Sequence, residues 1–183
     1  MLAGLTTYGA SAAARKPLID FMVSSLTTAG CRILSCSDAK RAPFVITFET
    51  AAGERMGIVA YAFLATRTPT KNRPADERSF QIKYGSKTDE LHNLWVDPLG
   101  LYTTLLLGID PKAGFFVAAD PAAHNPTKFF IRLEFKDSMR KPFKRRAGTL
   151  GSGLNAPRDW MTRSRCWLVE RKSAFSIWCG LSE

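Results

Sequence analysis

Two periodicities divide this chain. Residues 15–29, RKPLIDFMVSSLTTA, set Leu18, Phe21, Met22, Leu26 and Ala29 at three- and four-residue spacing. That spacing predicts an amphipathic helix with one buried face. Pro17 suits only its first turn, and Gly30 is placed to end it. From Cys31 onward the period becomes two. CRILSC is a short strand, and PFVITFET puts Phe44, Ile46 and Phe48 on one face. The turn at 51–54 leads into RMGIVAYAFLA, so the two runs form a hairpin. In RSFQIKYG, residues 78–85, Phe80, Ile82 and Tyr84 point one way and Ser79, Gln81 and Lys83 the other. LYTTLLLGI is nearly continuously apolar and is expected as a central strand, returning through the turn at 110–114 into FFVAAD. FFIRLEFK, residues 129–136, alternates Phe129, Ile131, Leu133 and Phe135 against Phe130, Arg132, Glu134 and Lys136. The expected fold is α+β, an N-terminal helix packed on a predominantly antiparallel, strongly curved sheet of about six or seven strands. Residues 1–137 read as a single domain. Residues 138–183 read as a basic, aromatic-containing and partly irregular segment.

Composition narrows the class. Hydrophobic residues make up 45% and aromatics 11%, which fits a packed core rather than a disordered chain. No stretch approaches the roughly 18 apolar residues of a membrane span. The N-terminus lacks a charged region followed by a long apolar one, so a soluble cytoplasmic protein is expected. Cys31, Cys36, Cys166 and Cys179 form no CxxC pair, and His92 and His124 lie far from them. Zinc is therefore not expected, and the cysteines read as free thiols.

Charge changes the picture more. The net charge is +10. Residues 138–183 carry ten Lys/Arg against three Asp/Glu, whereas residues 1–137 carry sixteen against thirteen. The body is thus only mildly basic, and any patch on it must come from clustering. One cluster is conspicuous. Residues 66–87, TRTPTKNRPADERSFQIKYGSK, hold six cations against two acids, first in a proline-punctuated loop and then in a strand. A cationic loop feeding a rigid polar strand suits gripping a polyanion. Phosphate contacts are expected from Arg67, Lys71, Arg73 and Lys87 and from Arg140, Lys141, Lys144, Arg145 and Arg146. Arg78, Gln81 and Lys83 are candidates for positioning or base readout, with Asn72 able to read base edges. His124 and Lys128, in the loop HNPTK, add a titratable ring and a cation. The expected partner is double-stranded DNA, with no membrane. A homodimer is an admissible state.

A second chemistry shares these strands. Metal-dependent nucleases of the PD-(D/E)xK type need a carboxylate ending one strand. On the adjacent strand they need Glu or Gln, a spacer and Lys. Asp120 followed by Glu134 and Lys136 has the right order, and Glu54 followed by Gln81 and Lys83 is a looser match. Magnesium would be needed under that alternative alone; otherwise no metal or cofactor is expected. An E-x-K pair on the wet face of a strand is also common without any chemistry. A third reading is a small basic protein-interaction module, in which Trp160, Trp167, Phe175 and Trp178 pack or dock an acidic partner.

The ordered series RPADERSFQIKYG, LYTTLLLGIDPKAGFFVAADP and HNPTKFFIRLEFKD, across about residues 40–137, resembles the N-terminal region of a bacterial restriction-endonuclease-like family. Chains of that family join such a region to a separate PD-(D/E)xK nuclease domain. The resemblance implies DNA recognition, modified DNA included. Arg73, Asp76, Glu77, Arg78, Gln81 and Lys83 fall in the signature loop and strand. A downstream nuclease domain is not expected in this chain, which ends at Glu183, and the segment after Lys144 departs from the family's continuation.

Overall fold

The computed structural model describes residues 2–67, 74, 76–84 and 90–137, and the backbone of a strand at 166–170. The elements in chain order are β1 (Tyr8–Gly9), α1 (Ala12–Thr28), β2 (Arg32–Cys36), β3 (Arg41–Ala42), β4 (Phe44–Glu49) and β5 (Arg55–Thr66). Then come β6 (Glu77–Ile82), β7 (Leu91–His92), β8 (Tyr102–Asp110), β9 (Phe115–Ala119), β10 (Thr127–Lys128), β11 (Ile131–Lys136) and β12 (Cys166–Glu170). A short 3-10 turn covers Ala122–His124. The fold is α+β, with one α-helix among the described residues and a mixed, mostly antiparallel sheet. Its main path runs β11-β6-β5-β8-β9-β12, with β4 also on β5 and β2 on β4.

The helix starts at Ala12, three residues before the predicted Arg15. Ala12, Ala13 and Ala14 are strong helix formers and extend it upstream. Pro17 consequently lies inside the helix, which forgoes the backbone bond that the Ala13 carbonyl would accept. The predicted face is buried at Leu18, Phe21, Met22 and Leu26, together with Ile19 and Ser25. Gly30 takes φ +84° just after the helix, a left-handed conformation that L side chains rarely adopt. Gly30→Ala is expected to lower stability by about 1 kcal/mol, read as an earlier midpoint in urea denaturation.

The centre of the sheet is the parallel pair of β5 and β8, Gly57 opposite Tyr102 through Leu64 opposite Ile109. Both strands are buried through their middles, Gly57–Ala62 and Leu105–Ile109, because both of their faces are covered there. This is why their sequences read as continuous apolar runs rather than alternations. One face, carrying Ile58, Ala60, Ala62, Leu105, Leu107 and Ile109, packs under α1. The other, carrying Val59, Tyr61, Leu106, Phe115 and Val117, is covered by Phe80 and Ile82 of β6 and by Leu133 and Phe135 of β11. An N-terminal strap adds Leu2, Leu5 and Tyr8 to this second core. The ribbon of β6 and β11 is therefore both a sheet edge and a lid over half of the core.

Two predicted boundaries move. The strand expected over 78–85 ends at Ile82, and the one expected over 129–136 begins at Ile131. Phe130 breaks the latter with φ 68°, while its N–H donates to the Ile82 carbonyl at 2.9 Å. Among the described residues after β11 is the strand β12, whose backbone pairs antiparallel with β9.

Candidate nucleic-acid interface

The antiparallel register of β6 and β11 decides which side chains share a surface. Gln81 lies opposite Arg132, Ser79 opposite Glu134 and Glu77 opposite Lys136. Since Leu133 and Phe135 are buried, strand alternation turns Arg132, Glu134 and Lys136 outward. Gln81 is half-buried on the same face, and Lys83 beyond it is exposed. Arg132 is steered locally: its Nη2 donates to Ser79 Oγ at 2.8 Å and its Nε sits 3.0 Å from Glu134 Oε1. The Lys83 ammonium stands 5.3 Å from the centre of the Phe130 ring, which is half-exposed. Lys128, on β10 just before this strand, is also exposed. The face is amphoteric rather than uniformly cationic, with amide, guanidinium, ammonium and aromatic groups on two strands. Arg132 and Phe130 join it, although the charged loop drew attention elsewhere. Their parity with Glu134 along 129–136 was the available signal.

Arg78 faces inward. It shares the strand parity of Phe80 and Ile82, and its guanidinium lies 5.0 Å over the Phe115 ring. Nη1 donates to Asp110 Oδ2 at 2.7 Å, and Nε donates to Asp137 Oδ1. Its side chain is 12% exposed. The charge is thus satisfied within the fold, and the guanidinium is turned away from the outer face on which DNA positioning or base readout was expected of it. It ties the start of β6 to the end of β8 and to the residue after β11.

The carboxylate–lysine sets do not assemble as that chemistry requires. Asp120 follows β9, whereas Glu134 and Lys136 lie on β11, and β6, β5 and β8 intervene in the sheet order. Phe135 meets Phe115 of β9 across the core, 6.0 Å between ring centres. Glu134 and Lys136 occupy the opposite side of β11. Asp120 instead accepts a hydrogen bond from the Ala122 N–H at 2.9 Å, which shapes the 3-10 turn. Glu54 precedes β5, while β6 pairs with β5 only at Ala65 and Thr66. At about 3.3 Å per residue, Glu54 and Gln81 stand near opposite ends of that strand. Among the described residues, no group of three His, Cys, Asp or Glu side chains could hold a metal.

His124 is half-buried, and its pKa is lowered by burial, with Asp120 pulling the other way. Burial thus disfavours the charged imidazolium that a phosphate contact would use. Asn125 is a structural clamp: its Oδ1 accepts from the Leu94 N–H at 2.9 Å. Arg67 is exposed at the end of β5. Lys71, Asn72, Arg73, Lys87, Arg140, Lys141, Lys144, Arg145 and Arg146 lie outside the described residues. Among the described residues, no helix is long and apolar enough to cross a membrane.

No curated protein and no solved structure matches the chain. Residues 56–145, which run from the start of β5 through β11, match the model of the family methylase-associated X1 (MTaX1), and the match sets this part of the chain in a restriction-modification context.

Proposed function

We propose that this chain is a DNA-recognition module of a restriction-modification system and that it contacts duplex DNA through the outer face of the β6–β11 ribbon. The observation that carries the reading is the pairing of half-buried Gln81 with exposed Arg132 on the outward side of the two strands, flanked by Lys83, Lys128 and Phe130. A two-stranded β-ribbon fits the major groove. Arg and Gln are the side chains that bond bidentately to guanine and adenine edges there. Lys83 and Lys128, with Arg67, supply phosphate contacts that hold the ribbon in register. The methylase-associated match and the likeness to restriction-endonuclease-like N-terminal regions support the same role. Cleavage is no part of the proposal, since Asp120 does not lie on a strand next to Glu134 and Lys136, nor Glu54 beside Gln81 and Lys83.

The test is titration of labelled duplex at two salt concentrations. Affinity should fall steeply with salt. The double variant Lys83→Ala, Lys128→Ala should flatten the log–log salt slope by about 2, near 0.9 for each phosphate no longer neutralised. Gln81→Ala should weaken discrimination between sequences while leaving that slope unchanged. Absence of duplex binding at low salt would overturn the proposal.

A further inference from the structure

A cleft of about 490 Å³ opens between the N-terminal strap and residues 91–96, a size suited to a small organic group. Its walls are aromatic and its chemistry is neutral. Gly4, Tyr8, Tyr84, His92, Asn93 and Trp95 line it, and among the described residues no Asp, Glu, Lys or Arg does. The rings are braced against one another: Tyr8 and Tyr84 meet edge-to-face at 5.0 Å, and Tyr84 and His92 at 6.1 Å. Trp95 is held at three points. Its Nε1 donates to the Ala3 carbonyl at 2.9 Å, its backbone N–H donates to Tyr61 Oη at 2.9 Å, and its carbonyl accepts from Thr104 Oγ1 at 2.6 Å. The aromatic wall is therefore built before any ligand arrives.

Two polar groups at the cleft are uncommitted. Asn93 is exposed and makes no hydrogen bond to another described residue. His92 Nε2 is closed off from solvent and likewise unpartnered among them. A side-chain amide presents a donor and an acceptor together, which is the pattern of a base edge. Lys128 pairs with Leu91 in the β10–β7 ladder, and Lys83 immediately precedes Tyr84 with its ammonium over the Phe130 ring. A neutral planar ring is suited to the interior.

We propose that this cleft takes one unpaired nucleobase of the DNA held on the ribbon, stacked on its aromatic wall and read along one edge by Asn93. The inference rests on the DNA-recognition reading above. Stacking on aromatic side chains and edge hydrogen bonds are how proteins hold a base removed from its pair.

The test uses the full chain and two duplexes, one fully paired and one carrying a single extrahelical 2-aminopurine. The bulged duplex should bind about tenfold more tightly, the scale of one stacked base, with its 2-aminopurine fluorescence quenched. Asn93→Ala, a change at an exposed side chain, should reduce that preference and leave paired-duplex affinity unaltered. Trp95→Phe should weaken the quenching. Equal affinities with unchanged fluorescence, while paired duplex still binds, would overturn the cleft assignment and leave the ribbon proposal standing. If neither duplex binds, the ribbon proposal falls, and a single-stranded oligonucleotide containing 2-aminopurine decides the cleft. Quenching lost in Asn93→Ala would then support the cleft, and absence of quenching would sink it.

Discussion

Arg78→Ala is expected to destabilise the protein by about 3 to 5 kcal/mol, the scale for breaking a buried ion pair by removing one partner. The guanidinium satisfies Asp110 and Asp137 together and covers the Phe115 ring. Its removal takes a guanidinium away from two partly buried carboxylates and leaves a gap over an aromatic ring. Arg78→Lys should recover only part of the loss, because an ammonium lacks the planar fork that bonds two acceptors at once. Adding Asp110→Asn to Arg78→Ala should also restore part of the stability, because the neutral amide needs no counter-charge. Urea denaturation of the set measures this. A loss below about 1 kcal/mol would mean that the cluster behaves like an ordinary surface salt bridge. Paired-duplex affinity should weaken through the ribbon's placement, with the log–log salt slope unchanged because Arg78 contacts no phosphate.

Phe80→Ala should cost a similar amount, about 3 to 5 kcal/mol, typical of a large aromatic removed from a core. Phe80 is buried to 1% exposure and lies flat over Gly108 of β8. A Cβ placed on Gly108 would come closer than 3.0 Å to three carbons of that ring. Gly108→Ala alone should therefore destabilise by about 1 to 3 kcal/mol through overpacking. In the Phe80→Ala background the same change should cost much less, since the space it needs has been vacated. Additive losses across the two sites would show that the ring does not seat there. The packing has a functional consequence, because it sets the height of the candidate interface above the core. Loosening it should weaken DNA binding through the ribbon's placement even where stability remains adequate.

Much of the fold was legible because alternation reports burial directly. Phe44, Ile46 and Phe48 followed their period into the core, as did Phe80, Ile82, Leu133 and Phe135. The run at 101–109 became the central strand β8 because a strand covered on both faces loses its polar side. The parallel pairing of β8 with β5 was not legible, since pairing direction is set by the path of the chain between strands. Nor was the ion-pair cluster around Arg78, whose acids lie 32 and 59 residues away. Its inward direction could still have been read, because Arg78 has the parity of Phe80. The high charge of residues 66–87 concealed that, as charge suggests solvent.

Local periodicity and turn chemistry act within a few residues, and they were enough to specify the helix face, the strands and the amphoteric character of two of them. How those strands meet was settled only when the chain folded. Folding put Gln81 opposite Arg132 and turned Arg78 onto Asp110 and Asp137. It kept Asp120 off the strands next to Glu134 and Lys136, and it gathered Tyr8, Tyr84, His92 and Trp95 around one cleft. Those outcomes depend on register and on packing between residues distant along the chain, where the energy of burying two faces of one sheet overrides any local preference.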